Sequence, residues 1–141
     1  MSIAWGAVLV AVGLLAWLGQ VLSWLAPAQA TRLGVTETEH SVEPSFWADI
    51  RAEAMWDALT LWTLPLAGGL LIADSASWPH WGLIGGATYL YFGGRGALAR
   101  IEMRSRGLRV GTEADLRSAL VMLPVWSLAG LITIVAALNA L

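Results

Sequence analysis

The sequence predicts an all-α integral membrane protein, a single domain over residues 1–141 folded as a four-helix transmembrane bundle with both termini on the non-cytoplasmic side. Three observations carry that prediction. The chain is 57% hydrophobic and only 13% charged, against about 25% charged residues in an ordinary soluble domain. Its polar residues gather in two stretches, roughly 31–57 and 95–117, instead of marking helical faces. All 8 cations are arginines lying in or beside those stretches, and lysine is absent. Mean hydropathy is +0.67, so lipid is the solvent to reason about.

The first span, 3–26, is apolar except for Gln20 and Ser23. At about 1.5 Å per residue it covers the ~30 Å hydrocarbon core. It ends in Ala-Pro-Ala-Gln-Ala, which looks like a signal-peptidase site. No cation precedes the apolar run, and the run is long for a signal sequence, so it reads as an anchor. The second span is 54–73, the third 78–99 and the fourth 116–141. An amphipathic lead-in helix over 45–57 continues into the second span, started by Glu43-Pro44-Ser45 with proline at an early helical position. Thr112-Glu-Ala-Asp115 is a capping-box start for the fourth, in which Pro124 is expected to bend the helix.

Orientation follows from the arginines. The segments joining spans one to two and three to four, with the helix ends beside them, hold Arg32, Arg51, Arg95, Arg100, Arg104, Arg106, Arg109 and Arg117. The opposite side carries Asp74 and His80 in a tight turn. By the positive-inside rule the arginine side is cytoplasmic, which in a bacterium makes this a multi-pass inner-membrane protein. Trp5, Trp78 and Trp81 would mark the outer boundary, and Trp24, Trp47 and Trp56 the inner one.

Packing is legible in the third span. At about 100° per residue, Gly82, Gly85, Gly86, Tyr89, Gly93, Gly96, Ala97 and Arg100 share one face. Small residues hold helices together in lipid, where apolar burial supplies no drive between them. Gly82, Gly86 and Gly93 are therefore the expected packing contacts, inside the bundle or along a homo-oligomer seam. A narrower seam of Gly6, Val10, Gly13, Trp17, Gln20 and Trp24 runs along the first span, and Gln20 needs a partner there.

The polar candidates concentrate at the inner ends. Asp49, Glu53 and Asp57 recur every four residues and carry a charged stripe into the bilayer, where lipid exposure of a carboxylate is costly. Arg95 and Arg100 lie at matching depth but project about 140° apart at 100° per residue. One is expected to pair with Asp57 or Glu53, the other with Glu102, a ligand or a lipid head group. Glu53, Asp57, Arg95 and Arg100 form the candidate intramembrane cluster; Arg104, Arg106 and Arg109 are candidate lipid or phosphate contacts. The stretch Thr36 to Glu43, with three carboxylates and His40, reads as a solvated acidic loop. Cysteine is absent, and no Ser–His–Asp set or paired histidines appear. No catalytic residue, metal site or cofactor is assigned, and a net charge of −2 gives no reason to expect nucleic acid.

The stretch Gly82-Leu-Ile-Gly-Gly-Ala-Thr-Tyr-Leu-Tyr-Phe-Gly-Gly-Arg95-Gly, with Asp57-Ala-Leu-Thr-Leu-Trp-Thr-Leu-Pro65, resembles a bacterial family of small four-span membrane proteins. The layout is similar to the DoxX-like group. A second similarity is to the MAPEG family, alike in length, span number and topology. It implies a trimer with a cytoplasm-facing, glutathione-type site held by arginines. That family's Glu-Arg-x-x-Arg and Asn-x-x-Glu pattern is missing. Arg51-Ala-Glu-Ala-Met-Trp-Asp57 offers one arginine, with Met55 and Ala58 where the asparagine and glutamate would fall. The expected function is an accessory, interaction or lipid-binding subunit without catalysis, its partners being membrane lipids and a homo-oligomer or larger complex. The alternatives are a transporter or channel component and a MAPEG-like enzyme.

Overall fold

A computed structural model describes residues 2–141. Six α-helices account for most of them: α1 (Ser2–Leu25), α2 (Pro27–Arg32), α3 (Pro44–Thr60), α4 (Thr63–Ile72), α5 (Trp78–Ser105) and α6 (Glu113–Leu138). A 3-10 turn covers Glu39–Ser41. Three helical stretches are long and apolar enough to cross a membrane: Ile3–Leu25, Pro44–Ile72 and Glu113–Leu138. α5 is as long, at 28 residues, but its glycines, aromatics and arginines lower its hydropathy. It also runs to Ser105, past the expected end near residue 99.

Prolines set where two of these helices stop or break. Pro27 has no N–H, so the carbonyl of Ser23 loses its helical donor and α1 ends at Leu25. Arg51, reaching from α3, replaces it: Nη1 donates to the Ser23 carbonyl, and Nη2 to that of Trp24 at 2.9 Å. The lead-in and second span were expected to be one continuous helix. They are two, broken at Leu61–Trp62, because Pro65 cannot donate to Leu61 and crowds that turn. Side chains occupy the carbonyls of the broken turn. Trp17 Nε1 donates to Ala58 at 2.8 Å, Trp62 Nε1 to Leu59 at 2.8 Å and Thr63 Oγ1 to Thr60 at 2.8 Å. By contrast α6 runs through Pro124. Its start is the expected capping box, with Thr112 Oγ1 accepting from Asp115 N at 3.2 Å and Asp115 Oδ2 from Thr112 N at 2.9 Å.

Close approach of backbones holds the long helices. A Cβ on Gly86 would lie 2.8 Å from the Gly130 carbonyl of α6, and one on Gly130 would lie 2.5 Å from that of Gly86. A Cβ on Gly93 would collide with the Leu123 carbonyl, and one on Gly82 would press on Ala137 at 3.1 Å. Gly85 instead faces the backbone of Leu64 in α4. The small-residue face of α5 is therefore split between two neighbours within the chain. A second seam joins α1 to α4, where Gly6 meets Gly68 and Gly13 meets Pro65. Tyr89, fully buried, ties α5 to α1 through a 2.7 Å bond to the Gly13 carbonyl.

Packing thus proceeds as a row: α1 on α3 and α4, α4 on α5, α5 on α6. The first and last helices flank an open cleft. At one end of the row the two long loops are joined, by an isolated antiparallel bridge between Val42 and Val110 and a bond from Gly111 N to the Ser41 carbonyl. Val42, Phe46, Ile50, Val110 and Leu116 form a small core beneath them. The loop expected to be solvated at 36–43 is so only in part: Glu39 and His40 are exposed, whereas Val42 is 1% and Glu37 5% exposed.

Candidate functional site

The polar residues that enter the fold meet at the joined-loop end. On α3, the four-residue spacing aligns Asp49, Glu53 and Asp57 along one side, as expected. Arg95 of α5 spans the first two: Nη1 donates to Glu53 Oε1 at 2.6 Å, and Nη2 to both oxygens of Asp49 at 2.8 Å. Arg95 therefore takes Glu53, one of its two expected partners, and leaves Asp57. One turn deeper, Asp57 is 4% exposed and its Oδ2 has no hydrogen-bond partner among the described residues. Of the two alternatives the spacing left open, Glu53 is the one an arginine takes: Arg95 reaches Glu53 and Asp49, and Arg100 points elsewhere.

Arg100 pairs with Glu37, 63 positions away, through Nε at 2.9 Å and Nη2 at 2.5 Å. Its remaining nitrogen, Nη1, donates to the Gly96 carbonyl at 3.1 Å. The guanidinium also lies over the Phe46 ring, 5.3 Å from its centroid. Every nitrogen of Arg100 is thereby engaged within the chain. Glu102, the partner expected for it, binds Arg106 at 2.6 Å instead. Two further surface arginines also hold acids: Arg104 holds Glu113 at 2.9 Å and Arg109 holds Glu43 at 3.2 Å. The Arg109 backbone N–H bonds Glu43 as well, and this, with its guanidinium, holds the Glu43 carboxyl below the usual carboxylate range.

Between α1 and α6 lies a cavity of about 650 Å³, within the ~300–1,000 Å³ typical of small-molecule sites. Leu15, Leu18 and Leu22 of α1 face Met122 and Trp126 of α6 across it, over Phe92 of α5. Its joined-loop end is polar, lined by Gln20, Glu37, Arg100, Asp115 and Ser118. A narrow pocket of about 50 Å³ lies behind the Glu37–Arg100 pair and reaches Ser23 and Glu53. Asp57 lines neither space.

Comparison with family models, with curated proteins and with solved structures gave no match. The site must therefore be read from its own chemistry. Of the residues singled out in the sequence, Glu53 and Arg95 are joined directly, Arg100 lines the cleft, and Asp57 stands apart. Sequence reasoning missed Glu37 and the cleft itself. Gln20 was expected to find a partner across a helix contact; it opens onto the cleft instead, with no hydrogen bond from its amide among the described residues. An unexplained polar residue on an otherwise apolar span was the one signal that could have pointed there.

Proposed function

We propose that this is a four-span protein of the bacterial inner membrane that binds a membrane amphiphile in the α1–α6 cleft, acting as a lipid-binding or accessory subunit and not as an enzyme. The cleft carries the reading. It is apolar along the membrane-crossing helices and polar at one end, the profile of a chain and a head group, and both flanking helices are long and apolar enough to lie in lipid.

Four crossings are supported by the packing of α5. Its 28 residues cover about 42 Å at 1.5 Å per residue, and it lies along α6 from the Gly82–Ala137 contact to the Gly96–Leu123 contact. If α6 crosses, its neighbour crosses with it. The joined loops place the arginine-bearing segments together, which favours that face as cytoplasmic with both termini outside.

The arginines that a MAPEG-like site would use are occupied, Arg51 by the α1 carbonyls, Arg95 and Arg100 by carboxylates. That weighs toward binding over catalysis. The test uses Trp126, which faces the cleft. In nanodiscs containing brominated-chain lipid, subtracting the emission of a Trp126→Phe variant isolates its signal. Strong quenching of that component, relieved by Met122→Trp, supports the reading. Quenching no greater than that of an average lipid-facing tryptophan, unaltered by Met122→Trp, would sink it.

A further inference from the structure

We infer that the polar end of the cleft selects an amphiphile whose head group is a primary ammonium, anchored on the free oxygen of Glu37. The inference rests on the cleft being a binding site, and it names the chemistry of what binds.

The argument is an inventory of unused hydrogen-bonding capacity. Among the described residues Arg100 is the only cation lining the cleft; three of its five N–H donors go to Glu37 and the Gly96 carbonyl, and its charge is matched by the Glu37 carboxylate. It therefore offers no uncompensated positive charge to an anionic head. Both bonds to Glu37 fall on Oε1. Oε2 is left over on a residue only 5% exposed, one that lines the cleft. Asp115 is similar: its Oδ2 takes Thr112 N and Oγ1, and Oδ1 remains. The two acids lie close to one another across Gly111: a Cβ there would come 2.9 Å from Glu37 Cγ and 3.2 Å from Asp115 Oδ2. Gln20 lines the same end from α1.

Two carboxylates against one committed guanidinium make this end net negative and rich in acceptors. An ammonium brings three donors and one positive charge. A phosphate or carboxylate head would bring a repulsive charge to a site whose one guanidinium is already charge-paired. The leucines and Trp126 beyond supply the surface for an alkyl chain.

The shared chemistry, an ammonium on a hydrocarbon chain, occurs both in ethanolamine phospholipids and in single-chain amines. Three ten-carbon probes separate the head-group question from the cleft question: decylammonium, decanol and decanoate. Each is titrated by calorimetry into the protein in phosphatidylcholine nanodiscs, with empty nanodiscs subtracted. Decylammonium should bind at least tenfold more tightly than decanoate. Glu37→Gln, which keeps an acceptor for Arg100 but removes the charge, should bring the two within threefold, while Met122→Trp weakens all three. Equal binding of the three heads, or a preference untouched by Glu37→Gln, overturns the ammonium assignment and leaves the cleft standing. If none binds, the cleft reading falls and this one with it. The same holds if Met122→Trp dissociates an oligomer, for the cleft is then a seam between copies.

The source is distinguished by native mass spectrometry after extraction from vesicles of phosphatidylethanolamine and phosphatidylglycerol. Retained ethanolamine lipid assigns the head to a bilayer lipid. Retention of neither, with decylammonium still binding, assigns it to a free amine. Retained phosphatidylglycerol contradicts the proposal.

Discussion

At the scale of single residues, arginines in this chain differ by what surrounds them. The Arg100–Glu37 side chains are 11% and 6% exposed, and breaking such a pair strands a charge. Arg100→Ala is expected to cost about 3–5 kcal/mol, read by reversible denaturation in mild detergent. Arg106 and Glu102, 69% and 61% exposed, are one turn apart on a solvated helix end, so Arg106→Ala should cost about 0.5 kcal/mol or less. Equal losses in the two variants would contradict the burial argument. Glu43 adds a pH dependence of definite sign. Its carboxyl is held below the ordinary value of 4.5 by Arg109, so its contribution is present above that value and fades as pH falls through the folded one. Glu43→Gln should therefore flatten the loss of melting temperature between pH 5 and pH 3. The Glu53–Arg95 pair could be anticipated from helical spacing and depth. The Arg100–Glu37 pair could not, because no periodicity connects positions 63 apart in sequence.

At the scale of elements, backbone proximity governs. Gly93 lies against the Leu123 carbonyl, and Gly69, in α4, has nothing within 4 Å. Gly93→Val should separate α5 from α6 and cost about 3 kcal/mol or more, since backbone cannot yield as a side chain does. Gly69→Ala should be neutral or stabilising by up to about 1 kcal/mol through helix propensity. Thermal unfolding of the two variants compares them directly, and a mild Gly93→Val would show that the helices do not meet there. The glycine face of α5 was legible because helical periodicity gathers it on one side. Its division between α4 and α6 was not, because a face records what is small and not which neighbour fills it. The break at Leu61–Trp62 had a visible cause in Pro65, but the donors that make it tolerable come from Trp17, far along the chain, as well as from Trp62 and Thr63.

At the scale of the whole molecule, the row of helices leaves α1 and α6 flanking a cleft, and the joined loops close one end. A pathway across the membrane would need a cavity reaching past Asp57 and Thr60. Both spaces described above stop short of them. Topology can be checked without background, because the chain has no native cysteine. Single cysteines at Ser77 and Ser105, treated with a membrane-impermeant maleimide on intact cells, should label at Ser77 and stay protected at Ser105. Labelling of both, or of Ser105 alone, would reverse the orientation or the span count.

Gln20, Arg95 and the glycines of α5 show where the division between sequence and structure falls. The helices, their apolar lengths, the capping box at Thr112, the aligned charges on α3 and the small-residue face of α5 all follow from local chemistry: hydrophobic length, period and backbone freedom are properties of contiguous residues. What only the tertiary structure decided is which groups meet. Glu37 came in from a loop to neutralise Arg100, Arg51 came across to the end of α1, Asp57 was left without a partner, and α1 and α6 were held apart. Each of these depends on how the row of helices is assembled, through contacts between positions far apart in the chain, and a polar residue such as Gln20 acquires its meaning only when the cleft beside it exists.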